Sequence, residues 1–224
     1  MESPVTRSDR AIQTAPDPRT VALLPRGSSR GPFYREHQRR RSGDGGCWWF
    51  SGTPAGEEPA GRFDLPLPRG TLYLAETERV ASRERCGRFL AADAPIPVTF
   101  VQDRVISTID GALDDVADLT HDGAADVGVT REIGTIDDYA LTATWAAAAD
   151  DAGFTGLRYF PRFTTGTGRA FTVFGDAGAH PPDGFTITST TPLAEVLARE
   201  GIWPRTIPAA SDAVDDDDDS VDVG

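Results

Sequence analysis

Between residues 66 and 77 the chain reads PLPRGTLYLAET, so that two prolines, an arginine and a glycine stand directly before the apolar, β-favouring run TLYLA at 71–75. Proline withholds a backbone donor and glycine opens turn conformations, so PRG reads as a turn and TLYLA as a short strand. Two residues further on, Thr77 is placed to cap a helix over about 78–90, its hydroxyl accepting from a first-turn N–H and leaving Val80 and Glu84 on one face. The same clipped grammar continues. PVTFVQDRVIS at 97–107 is rich in β-branched residues and predicts one or two strands. The segment 138–152 sets Leu141, Trp145, Ala148 and Ala152 on one helical stripe. GLRYF at 156–160, AFTVFG at 170–175 and FTITST at 185–190 predict strands, TTGTGR at 164–169 a loop, and Thr191 with Pro192 the start of a last helix through Arg199. Strands and helices do not alternate regularly enough for a doubly wound parallel sheet, which makes the fold α+β.

With 224 residues the chain has room for one compact domain with loose ends. Residues 1–30 mix Pro, Arg, Ser and Asp without period and read as a flexible arm; 31–208 form the domain; AASDAVDDDDDSVDVG at 209–224 reads as a disordered acidic tail, since it holds too little apolar surface to order itself. The formal charge is −13, with arginine supplying every cation and no lysine present. Such a balance excludes general affinity for nucleic acid, which needs a basic footprint. An acidic, lysine-free surface fits a salt-loving cell, where dissolved ions screen carboxylate repulsion; high genomic G+C alone would also exchange Lys for Arg, though it would not favour Asp so strongly. No apolar run approaches the roughly 20 residues that cross a bilayer, and charges stand where a secretory leader has its apolar stretch. A cytoplasmic protein without membrane contact is expected. Cys47 and Cys86 form no C-x-x-C pair and read as reduced thiols; His37, His121 and His180 lack metal-ligand spacing, so no metal is assigned.

Nucleotide-binding and hydrolase signatures in their usual forms are absent. GTGRAF lacks the third glycine of G-x-G-x-x-G, and there is neither a G-K-[ST] nor a G-x-S-x-G. What stands out is Arg35 in FYREH, Arg62 and Tyr73 within GRFDLPLPRGTLYLA, and Glu84 at the end of ASRE. Taken with CWWFSG at 47–52, AGFTGLRYFPRF at 152–163 and AFTVFG, their order resembles the RES domain family over roughly residues 33–175.

That resemblance implies a single domain like the diphtheria-toxin-type ADP-ribosyltransferases, with short strands in a split sheet and flanking helices. It further implies an enzyme that degrades NAD at its nicotinamide N-glycosidic bond, with water or phosphate as acceptor, acting as a toxin paired with an antitoxin, a helix-turn-helix protein being the partner to look for. NAD is then substrate, and no cofactor is expected. By motif match Glu84, Tyr73 and Arg35 inherit catalytic positions, while Arg35, Arg62, Tyr73, Tyr159 and Arg162 inherit substrate contacts. The chemistry suits these residue types. Planar guanidinium groups pair with phosphates. Tyr73 offers a stacking face and a hydroxyl. A fixed carboxylate, Glu84, stabilises the positive charge that grows on the ribose as neutral nicotinamide leaves, and because the ring nitrogen of NAD is already cationic, the leaving group needs no second acid.

One departure is visible. The family serine is expected just after the tyrosine of GLRYFPRF, where this chain has Phe160 and Pro161; Tyr159, Arg162, Thr164 and Thr165 are the polar groups near that point. The departure keeps two other readings open: an ADP-ribosyltransferase that modifies a macromolecule, and a nucleotide-binding module without turnover.

Overall fold

The computed structural model describes residues 12, 13, 15, 17–39 and 46–207. In chain order these form α1 (Pro18–Val21), β1 (Arg26–Arg30), β2 (Phe33–Gln38), β3 (Trp49–Phe50), β4 (Gly52–Thr53), β5 (Leu65–Pro66), β6 (Arg69–Ala75), α2 (Glu78–Ala91), α3 (Val98–Val101), β7 (Arg104–Asp110), β8 (Ala112–Asp118), two 3-10 turns (Asp122–Val127 and Arg131–Gly134), α4 (Tyr139–Asp151), β9 (Leu157–Tyr159), β10 (Ala170–Asp176), β11 (Gly178–Ala179), β12 (Thr186–Pro192) and α5 (Leu193–Arg199). The fold is α+β. No described helix is long and apolar enough to cross a membrane.

Eight strands make one sheet in the order β1-β8-β9-β10-β6-β2-β7-β12, antiparallel except where β8 meets β9. β6 and β10 pair over their full lengths, from Arg69 opposite Asp176 to Ala75 opposite Ala170. β6 and β2 touch at a single register position, Tyr34 opposite Ala75, and there the sheet splits. A backbone carbonyl that loses its ladder partner needs another donor. Arg35 supplies it, Nη1 donating to the Tyr73 carbonyl at 2.7 Å and Nη2 to the Trp49 carbonyl at 3.1 Å.

Strand periodicity divides the core in two. Leu72 and Leu74 of β6 join Phe33, Phe50, Ile109 and Phe171 on one face. On the other, Ala75 and the flanking Tyr73 pack with Val80, Ile106, Trp145 and Leu157. Helices cover this second face: α2 is capped as the sequence predicts, the Thr77 hydroxyl accepting from Val80 N–H at 3.1 Å, and α4 by the Asp138 carboxylate, which accepts from Leu141 N–H at 2.9 Å.

Three segments depart from expectation. The run at 97–107 is not all strand: Val98–Val101 forms a helical turn started by Pro97, whose fixed φ of −63° suits a helix entrance, and β7 begins only at Arg104. Within the arm expected to be loose, Val21 and Leu24 are buried and Arg26–Arg30 is an edge strand paired to β8. β8 itself, ALDDVAD, carries no strand signal in isolation because Asp114 and Asp115 disfavour strands. Their charges are met across the edge by Arg30 at 3.1 Å and Arg26 at 3.3 Å. The acidic tail expected over 209–224 lies outside the described residues.

Candidate active site

Where β2 and β6 diverge, α2 crosses above the gap and encloses a cavity of about 640 Å³. Arg35, Arg62, Tyr73, Glu84, Tyr159 and Arg162 all line it. The loop that follows β4 reaches it through Ala60 and Gly61.

Glu84 projects from the middle of α2, half-buried, and its Oε1 accepts the Phe163 N–H at 2.9 Å. Burial pushes its carboxyl above the ordinary glutamate value, against the opposing pull of the Phe163 N–H and of Arg62 and Arg162. Phe163 can come this close because residue 87 is glycine: a Cβ there would lie 2.1 Å from Phe163 Cγ. Gly87→Ala is therefore expected to displace Phe163 and free the Glu84 carboxylate from its N–H donor, costing about 1–3 kcal/mol of stability as an overpacked contact. Urea unfolding together with the ligand affinity of the cavity checks this, and an unchanged midpoint contradicts it.

The two arginines expected to hold phosphate are already engaged. Besides the two carbonyl bonds of Arg35, its Nε is buried without a partner, and burial lowers the guanidinium pKa. Arg62, 8% exposed, donates Nη1 to the Ile136 carbonyl, with a longer contact of 3.5 Å to that of Ile133, and its guanidinium stands 5.1 Å from the Tyr139 ring centre. Arg162 pairs with Asp137 and lies over the Phe163 ring at 5.3 Å.

The tyrosines divide their labour differently from expectation. The Tyr73 hydroxyl is not available: it donates to Asp64 Oδ1 at 2.8 Å and accepts from Phe63 N–H at 2.8 Å, so only its ring faces the cavity. Burial and the Asp64 charge hold its pKa well above the ordinary tyrosine value, which keeps the donor protonated. Tyr159 is the opposite case. It packs edge-on to Phe63 at 4.9 Å, and its hydroxyl has no hydrogen bond among the described residues. Burial, then the charge of Glu84, raises its pKa, so it too stays protonated.

At the position of the family serine, Phe160 turns away from the cavity and is held between Arg131 at 4.1 Å and Arg169 at 4.2 Å from its ring centre. Pro161 is buried, and Thr164 and Thr165 do not reach the cavity wall. The open hydroxyl nearest that point of the chain is that of Tyr159.

Several lining residues escape a sequence reading: Glu36, Arg85, Arg88, Phe100 and Tyr139. For Arg88 a signal existed, its i+4 spacing from Glu84 on one helical face; Arg85 at i+1 had none. Glu36 had none either, since its partner Arg104, at 2.6 Å, comes from the neighbouring strand β7. Both thiols, Cys47 and Cys86, are free and buried, and burial raises Cys86 to about 11. Among the described residues no three His, Cys, Asp or Glu side chains gather as a metal site.

A split, mostly antiparallel sheet roofed by a helix that carries one half-buried carboxylate among arginines defines an α+β fold with a cleft between its diverging strands. That fold is shared with a chain of the crystal structure of the M. tuberculosis MbcT–MbcA toxin–antitoxin complex, at a TM-score of 0.57 and 18% identity, the match covering 82% of this chain and 94% of that one. The family model of the RES domain matches residues 32–194, a span that contains every cavity residue named above. The chain belongs to the RES domain family. Among curated proteins none matches the sequence.

Proposed function

We propose that this protein is the toxin of a toxin–antitoxin pair and degrades NAD by breaking its nicotinamide N-glycosidic bond, with water or phosphate as acceptor. The observation that carries this reading is the placement of Glu84 and the cavity arginines on one cleft, the carboxylate held in place by the Phe163 N–H. The family resemblance and the structural likeness to a toxin–antitoxin component support it.

In this reading the C1′–N bond breaks, its electron pair passes to the nicotinamide ring nitrogen, and nicotinamide departs neutral. Positive charge spreads over C1′ and the ring oxygen of the ribose, where the Glu84 carboxylate lowers its energy in a site partly withdrawn from water. The acceptor oxygen then bonds to C1′. A water acceptor gives up a proton to a base, a role within reach of Glu84, and the product is ADP-ribose; a phosphate acceptor yields the 1″-phosphate instead. The Tyr73 ring forms one wall and the Tyr159 hydroxyl offers a donor to the sugar or the carboxamide. The antitoxin is proposed to be a small helix-turn-helix protein, and the site of action to be the cytoplasm.

The test is product analysis. Purified protein incubated with NAD in high salt, with and without inorganic phosphate, is expected to release nicotinamide together with ADP-ribose or its 1″-phosphate, read by mass spectrometry. Intact NAD after incubation with folded, partner-free protein would overturn the proposal. Label appearing on a macromolecule rather than in these products identifies a transferase.

A further inference from the structure

We propose that Arg88 is the residue that binds a phosphate group in this cavity, a role the motif pattern assigns to Arg35 and Arg62. The inference rests on the proposed NAD chemistry for the identity of the ligand and on geometry for the residue.

A guanidinium grips phosphate through paired N–H donors, which must be free to turn toward it. Arg35 and Arg62 give donors to backbone carbonyls, Arg85 leans toward Glu36 at 3.7 Å and lies 4.9 Å from the Phe100 ring centre, and Arg162 pairs with Asp137. Arg88 lines the same cavity, is exposed, and its guanidinium has no hydrogen bond or ion pair among the described residues; it acts on Asp137, the partner of Arg162, only through its longer-range charge. In a chain of net charge −13 a cavity guanidinium whose N–H donors are all free of protein acceptors can turn them toward an anionic ligand.

Its position relative to Glu84 supplies the second argument. Residues four apart share one face of a helix, separated by about one 5.4 Å turn. An i, i+4 Glu and Arg commonly pair, yet here the carboxylate turns to the Phe163 N–H and leaves Arg88 unpaired. α2 thus presents an anion and, one turn on, a cation to the same space. In a nucleotide, C1′ and the 5′-phosphate are separated by one sugar ring and a methylene group, a span of the same order as a helical turn. With Glu84 at C1′, Arg88 meets the phosphate nearest the scissile bond. Inorganic phosphate arriving as acceptor presents the same chemistry.

Calorimetry on wild type, Arg88→Gln and Arg79→Gln decides it. Arg79 is a charge control on the same helix, 70% exposed and away from the cavity. Three probes are used: nicotinamide mononucleotide, nicotinamide riboside and inorganic phosphate. If the group is the nucleotide's, wild type binds the mononucleotide more tightly than the riboside, and Arg88→Gln removes roughly tenfold of that preference while Arg79→Gln keeps it. If the group is the acceptor's, Arg88→Gln weakens inorganic phosphate by a similar factor and leaves the nucleotide preference intact. Affinities for all three probes unchanged in Arg88→Gln overturn the proposal. Should wild type bind neither nucleotide, the NAD reading fails by itself, and the phosphate titration still decides Arg88: weakened binding in the variant supports it, equal or absent binding in both proteins overturns it. Equal melting temperatures confirm that the variants are folded.

Discussion

Glu84→Gln is expected to lower the turnover of NAD by about 10²- to 10³-fold, the cost of removing one preorganised charge from a developing transition state. The substitution is nearly isosteric, and its amide oxygen still accepts the Phe163 N–H, so the cavity keeps its shape. Because burial raises the Glu84 pKa, the folded state binds the carboxyl proton more tightly than the unfolded chain does. The stabilisation from that bound proton is present at low pH and is lost as pH rises through the raised folded value. At neutral pH a neutral glutamine consequently carries no stability cost, and its melting temperature should equal or exceed that of wild type. Activity runs the other way. The carboxylate is the working form, so the wild-type rate should fall on acidification at a pH above that of an ordinary glutamate. Rate–pH profiles and melting curves in matched high salt check both; a Glu84→Gln protein that is folded and retains wild-type turnover removes Glu84 from the mechanism.

Asp64→Ala is expected to produce the largest loss of stability. Asp64 is 1% exposed, and its two oxygens accept from Ser51 Oγ, Gly61 N–H and the Tyr73 hydroxyl, each at 2.8 Å. The enclosure is tight: a Cβ on residue 61 would lie 2.6 Å from both Asp64 Oδ1 and the Tyr73 oxygen. Truncation leaves three donors facing a void. An unsatisfied buried donor costs about 1–3 kcal/mol, so a total near 3–5 kcal/mol is expected after partial relaxation. For a domain of this size that lowers the melting temperature by roughly 10 °C. The same loop carries Arg62 and fixes the Tyr73 ring, so ligand affinity should fall together with stability. Denaturant titration measures the first effect and calorimetry the second, and a loss below about 1 kcal/mol would show that water enters and replaces the carboxylate.

Much of the local structure was legible in the chain. Thr77 caps the helix its position predicts, and TLYLA lies within β6, although the turn falls at Leu67 and Pro68, and Arg69 and Gly70 of the expected PRG turn already belong to the strand. The motif residues Arg35, Arg62, Tyr73 and Glu84, scattered over fifty positions of sequence, line one cavity. What escaped was structure made by pairing. β8 looked too acidic for a strand until Arg26 and Arg30 stood across from it, and VTFV carried strand propensity that Pro97 and its neighbours overrode.

The chain by itself settled the chemical inventory and the local grammar: which residue types can bind an anion, which residues share a helical face, where the Thr77-capped helix starts. These follow from side-chain chemistry and from periods of two and 3.6 residues, which depend on near neighbours alone. Only the tertiary structure decided which arginine is free. Arg35 is occupied by a carbonyl 38 positions away and Arg62 by one 74 positions away, because a splitting sheet and a closing loop leave oxygens that need donors. A guanidinium has a finite number of N–H groups, and how many remain for a ligand depends on which distant carbonyls the fold brings beside it.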